Sequence, residues 1–207
     1  MRIKPLLAGL ASFLLFIGLG FWVTRHGESA ALTSLNASLL DHSTLVAWWL
    51  TWACYPKLLL PLGLILLVLA WRLPAWRTRI LFSIAMLLLA WQGADLFQHL
   101  FARPRPLDWV VKHETSFSYP SSHAAIAIAF YALWAAMLYM SELPRSTRTL
   151  AGFVLLALAL AICWSRLALG AHYFTDLVGG ALLGLALVCI GSAFVPGIFR
   201  GAVAGRS

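Results

Sequence analysis

A chain of 207 residues is long enough for one compact unit, and we read residues 1–207 as a single domain. Hydrophobic residues make up 62% of it and charged residues only 11%, where a soluble domain carries about 25% charged residues; a soluble globular protein is excluded. The formal net charge of +8 does not point to nucleic acid, because the cations sit mostly in short segments between long apolar runs, as in membrane proteins that fix their orientation by charge.

The first predicted element follows two cations, Arg2 and Lys4, and runs over 5–23. It is long for the core of a signal peptide and more spans follow, so it reads as a retained transmembrane helix, with cleavage near Ala30 as the competing reading. The segment 32–51 reads as amphipathic or interfacial, with Trp48, Trp49 and Trp52 near a headgroup belt. Further spans are predicted at 52–71, 80–101, 121–140, 149–165 and 173–195. The second is interrupted by Pro56, Lys57 and Pro61, and the fifth is short. The fold class is therefore an all-α integral membrane bundle of six transmembrane helices. Cys54, Cys163 and Cys189 lie in or beside apolar runs and read as buried small side chains, with no metal spacing.

If six helices alternate, Arg2, Lys4, Arg72, Arg77, Arg79, Arg145, Arg148, Arg200 and Arg206 share one side. The positive-inside rule makes that side cytoplasmic, with both termini on it. The outer side then receives His123, His172, Arg105 and Arg166, with the connector 102–120. That connector is polar and proline-rich, so it must lie at the interface or line a protein-walled cleft, where its backbone groups can be paired.

Three clusters on this side carry chemistry: Arg103-Pro104-Arg105-Pro106, Pro120-Ser121-Ser122-His123, and the run from Ser165-Arg166 to His172 and Asp176. Pro120 or Ser121 can open a helix whose first-turn N–H groups and dipole attract an anion. His123 in that turn can exchange a proton. His172 and Asp176, four residues apart, share a helix face if the helix has begun by His172, and Asp176 can then accept from one imidazole nitrogen and leave the other as a nucleophile. Arg105 and Arg166 are fork-shaped donors suited to phosphoryl oxygens. Arg103 and Arg25 read as interfacial anchors, and His26, His42, His99 and His113 as caps or headgroup contacts.

These motifs resemble the type 2 phosphatidic acid phosphatase superfamily, membrane lipid phosphatases related in fold to the vanadium haloperoxidases. The family's third motif, Ser-Arg, five residues, His, three residues, Asp, is complete as Ser165, Arg166, His172 and Asp176. The second, Pro-Ser-Gly-His, is present with Ser122 in the glycine slot. The first, Lys, six residues, Arg-Pro, is best matched by Arg105-Pro106, which puts Gln98 in the lysine slot. The resemblance implies a six-helix bundle of haloperoxidase-like type. It implies that His172 attacks phosphorus, that Asp176 orients it and that His123 protonates the leaving group. It further implies that Arg105, Ser121, Arg166, Gln98 and backbone N–H groups near Ser122 hold the phosphoryl oxygens. Three outcomes fit the missing lysine: Gln98 serves as the donor, Lys57 or Lys112 fills the space as a compensating cation, or the activity is lost or altered, and the intact remainder of the set favours the first two.

The implied reaction is hydrolysis of a phosphomonoester or pyrophosphate on a membrane lipid through a phosphohistidine, with no metal or cofactor. Isoprenyl pyrophosphate, phosphatidylglycerol phosphate and phosphatidic acid are the implied substrate classes. Transfer to an acceptor lipid, such as lipid A, is the alternative. A non-catalytic phospholipid-binding or transport protein is the third. The implied location is the bacterial inner membrane, with the site facing outward.

Overall fold

The computed structural model describes residues 1–40, 45–107 and 115–199. Its helices are α1 (Ile3–His26), α2 (Ala30–Leu39), α3 (Leu45–Trp52), α4 (Pro56–Arg72), α5 (Arg77–Phe101), α6 (Ser122–Ile126), α7 (Leu133–Tyr139), α8 (Arg145–Ala168) and α9 (Phe174–Phe194). A π-helical segment, Ala127–Ala132, joins α6 to α7 without a break. Five units are long and apolar enough to cross a bilayer: α1, α5, the continuous Ser122–Tyr139, α8 and α9. The pair α3 and α4, bent by 41°, makes a sixth where the two are taken as one broken span. The protein is an all-α, multi-span membrane protein, and large apolar side chains such as Leu14, Leu64 and Phe153 are 66–70% exposed where lipid would cover them.

The second span differs from its sequence-based bounds of 52–71. It begins at Leu45 and is broken at residues 53–55, so the last part of the segment expected to be interfacial, 45–51, belongs to it. Pro56 cannot continue a helix from behind but can open one, and it sits in the first turn of α4. A break among buried side chains, such as Ala53 and Cys54, needs its backbone groups paired. The amides of Ala53, Cys54 and Tyr55 donate to Leu50, Thr51 and Trp52, and the Tyr131 hydroxyl donates to the Ala53 carbonyl at 2.6 Å. The fifth span is also longer than 149–165, because α8 runs on through charged Arg145, Arg148 and Arg166, where an apolar window stops.

Chain direction collects one end of the bundle. The C-termini of α1, α5 and α8 and the N-termini of α4, α6 and α9 meet there, with the connector from α5 to α6. Helix α9 packs along α1 and against α6, and α3 packs on α8. The α6–α9 contact is the closest of these. A Cβ at Gly180 would lie 2.3 Å from the Ser121 carbonyl, and one at Gly184 would lie 2.6 Å from that of Ala125. Two glycines four residues apart thus let the backbones touch. Beside them Tyr119 stacks on Phe16 at 5.6 Å, meets Phe101 edge-on at 5.1 Å, and donates its hydroxyl to the Phe16 carbonyl at 2.6 Å. Burial pushes its phenol up, so it stays a neutral donor.

Gly180→Ala should therefore lower stability by about 1–3 kcal/mol, the usual cost of forcing atoms into a packed contact. Gly63, around whose Cβ position no described residue lies within 4 Å, should accept alanine without loss. Thermal unfolding of the helices in detergent reads both variants, and equal midpoints for the two would contradict the close α6–α9 packing.

Candidate active site

The turn between α8 and α9 builds one half of the site. Helix α8 ends as Gly170 takes a positive φ of 67° and Ala171 donates to the Arg166 carbonyl at 3.0 Å. Two residues later α9 starts, with Asp176 in its first turn reaching back to accept from the Tyr173 amide at 2.9 Å. The same carboxylate oxygen lies 3.4 Å from His172 Nδ1. The other imidazole nitrogen, Nε2, is 3.1 Å from Arg105 Nη1. A guanidinium only donates, so Nε2 must be the acceptor and the ring proton sits on Nδ1, toward Asp176. The nitrogen carrying the free electron pair is thus the one that faces an arginine.

Arg105 is fixed on its other sides. It donates from Nε to the Ser116 carbonyl and from Nη2 to the Ser116 hydroxyl, both at 2.8 Å, and from Nη1 to the Ala171 carbonyl at 2.9 Å. Arg166, 1% exposed, reaches from α8 to α3 and donates to the Thr51 hydroxyl at 2.6 Å. An arginine buried to this degree in a membrane protein is a functional candidate by its cost alone.

The start of α6 builds the other half. Ser121 caps the helix, with its hydroxyl accepting from Ala124 N–H at 3.4 Å, and its own amide donates to the Asp176 carbonyl at 3.0 Å. That backbone bond ties the α6 N-terminus to the α9 N-terminus. Ser122 and His123 follow in the first turn. His123 is buried, packs edge-on against Tyr55 at 5.4 Å, and has Arg166, His172, Arg105 and the Thr51 backbone as neighbours. Among the described residues neither of its ring nitrogens meets a hydrogen-bond partner in good geometry. A cavity of about 80 Å³ opens beside His172, walled by Thr33, Asn36 and Leu40 near α2 and by Pro106 and Gly170.

The structure thus brings together His172, Asp176, His123, Arg105, Arg166, Ser121 and Ser122. Gln98 is placed differently from a free phosphate donor: it is buried and its amide donates to the Pro120 carbonyl at 2.9 Å, bracing the turn that opens α6. Lys57 is exposed, with its ammonium 5.8 Å above the Trp52 ring. Lys112 lies outside the described residues. Arg103 is no interfacial anchor. It is 2% exposed and bonds to Asp176 Oδ1 at 2.5 Å and to Glu28 at 2.9 Å. Glu28, Thr51 and Thr175 were not singled out from the sequence, and nothing local marks them. Their partners lie 75, 115 and 72 residues away in the chain.

Residues 76–200 match the family model of the PAP2 superfamily. A 103-residue stretch is 34% identical to phosphatidylglycerophosphatase B of Bacillus subtilis (strain 168), covering 47% of this chain and 49% of that one; the chain thus spans about half the length of the curated relative it matches. The crystal structure of a transmembrane PAP2-type phosphatidylglycerolphosphate phosphatase from Bacillus subtilis superposes with a TM-score of 0.72 at 24% identity, over 90% of this chain and 95% of that one. That likeness bears on the fold.

Gln98→Ala would strand the buried Pro120 carbonyl and should cost about 1–3 kcal/mol. Gln98→Lys, which can donate the same bond, should lose less. Thermal midpoints in detergent measure both, and a wild-type midpoint for Gln98→Ala would remove the bracing role.

Proposed function

The chain belongs to the PAP2 superfamily, and from that premise we propose that it removes a terminal phosphoryl group from a membrane lipid through a phosphohistidine on His172. The observation that carries this reading is the imidazole held between Asp176 and Arg105, with its electron pair on Nε2. A nucleophile and the guanidinium that would bind its electrophile already face each other.

In this scheme Nε2 attacks phosphorus as the bond to the leaving oxygen breaks. Arg105, Arg166 and the first-turn N–H groups of α6 bind the equatorial oxygens, where charge develops. The charge that appears on the imidazole is balanced by Asp176, whose carboxylate faces Nδ1. His123, whose nitrogens have no partner in good geometry among the described residues, gives its proton to the leaving oxygen. It then takes a proton from the incoming water, which attacks phosphorus, breaks the P–N bond and restores His172. Gln98 contributes no charge, so Arg105 and Arg166 supply the cationic part of the cage. Neither Lys57 nor Lys112 is needed for this scheme.

The site lies at the end of the bundle opposite to Arg2, Lys4, Arg72, Arg77, Arg145 and Arg148, as the chain path requires. Charge bias then puts that end outside the cytoplasmic face of a bacterial inner membrane. A phosphorylated headgroup can meet the site there while its tails stay in hydrocarbon. Isoprenyl pyrophosphate, phosphatidylglycerol phosphate and phosphatidic acid all satisfy this geometry. An acceptor lipid in place of water would give a phosphotransferase with the same first step.

The test is phosphate release from these three lipids in mixed micelles, with and without an acceptor lipid. Wild type should release phosphate from at least one, and His172→Ala should lose activity by a factor of about 10³ or more. Equal rates in the two proteins would sink the assignment. Phosphate appearing only on the acceptor would replace hydrolysis by transfer.

A further inference from the structure

We propose that Glu28 is a positioning residue for the nucleophile: acting through Arg103 and Thr175, it fixes the carboxylate of Asp176 and hence the tautomer and orientation of His172. The inference rests on the role given to His172 above.

Glu28 lies between α1 and α2, far from the phosphoryl site in sequence, yet its side chain is 2% exposed. Among the described residues it accepts three hydrogen bonds. One oxygen accepts from Arg103 Nη2 at 2.9 Å and from the Thr175 hydroxyl at 2.5 Å. The other accepts from the Thr175 backbone amide at 3.4 Å. That amide is one of the first-turn N–H groups of α9 that no helical carbonyl can reach, so Glu28 caps the turn on which Asp176 rides. Arg103 in turn donates from Nη1 to Asp176 Oδ1 at 2.5 Å and to the Thr175 hydroxyl at 2.8 Å, and its guanidinium lies 4.3 Å from the centre of the Tyr173 ring.

These bonds leave the Asp176 carboxylate little freedom. Oδ1 is held by Arg103, and Oδ2 by the Tyr173 amide, so its plane is set and Oδ2 is presented to His172 Nδ1. Glu28 also balances charge. A buried guanidinium facing Asp176 alone would draw that carboxylate away from the imidazole. A second carboxylate on the other edge of the guanidinium divides its donors between the two. Neither Glu28 nor Arg103 is aimed at the imidazole nitrogen that attacks. Their effect passes through Asp176, as that of an outer carboxylate passes through a bound histidine in other sites.

The experiment compares Glu28→Ala and Glu28→Gln with wild type in two ways. The first is kcat and KM, determined separately for the lipid that wild type turns over. Glu28→Ala should lower kcat by about 10–100-fold, the usual effect of removing such a partner, with KM within about threefold. Glu28→Gln keeps the shape and an acceptor oxygen, so its kcat should fall between the two. The second is side-chain ¹⁵N NMR of His172, which reads the tautomer whether or not the protein turns over any lipid. Wild type should show the proton on Nδ1, and Glu28→Ala a mixture. Wild-type kcat in both variants, a loss confined to KM, or an unchanged tautomer signal in Glu28→Ala overturns the proposal. Should Glu28→Ala fail to fold, Glu28→Gln is read alone, and wild-type kcat there overturns it. A wild type inactive on every lipid would sink the phosphatase reading, while the NMR comparison would still decide the role of Glu28.

Discussion

Asp176 is a fully buried carboxylate in a protein made for hydrocarbon. An unpaired charge there would cost several kcal/mol or more, so the fold has to surround it with donors. Arg103 and the Tyr173 amide supply them, and the His172 imidazole faces the carboxylate with its Nδ1 3.4 Å away. The residue's own carbonyl accepts from Ser121, which fastens α6 to the same point. The need to satisfy this one group therefore ties together the connector after α5, the start of α6 and the turn before α9. Those are the segments that carry Arg105, His123 and His172.

The rest of the bundle serves that end. Helices α1, α5, α8 and α9 are regular apolar rods whose lipid-facing surfaces impose no chemistry. Irregular backbone occurs where it is shielded by protein: the break before Pro56 is closed by Tyr131, and the turn at Pro120 is braced by Gln98. Glycines in α9 bring its backbone against α6, so two helix N-termini converge. Convergent N-termini concentrate partial positive charge, and two arginines add to it. The region is thus suited to a phosphoryl group before any single residue is given a catalytic role.

Much of this was legible in the sequence, for identifiable reasons. Long apolar runs have only one stable use, so the spans containing α1, α5, α8 and α9 could be placed within a few residues. The four-residue spacing of His172 and Asp176 brought them together, though across the turn before α9 and not on a helix face, because α9 starts only at Phe174; Ser121 had the chemistry of a cap. Failures came where the outcome depends on distant partners. Helix α8 continues through Arg166 because Thr51 on α3 receives it, and no window along the chain contains both. Arg103 looked like an anchor because Glu28, its partner, is 75 residues away. Motif spacing picks Arg105-Pro106 over Arg103-Pro104 for the phosphate role and leaves Arg103 with no part in the site. In the fold one arginine faces the nucleophilic nitrogen and the other the carboxylate that orients it. Gln98 was read as a weakened phosphate donor, and its bond to the Pro120 carbonyl could not be anticipated without the turn that places that carbonyl.

The central claim is that His172 becomes covalently phosphorylated. The most direct measurement is to mix the protein with a lipid labelled in its terminal phosphate, quench within milliseconds in alkaline denaturant, and locate the label. The account predicts an acid-labile, base-stable label on His172 that is absent from His172→Ala and accumulates in His123→Ala when the leaving group needs no protonation. Turnover with no labelled protein at any time point, or a label retained in His172→Ala, would contradict it.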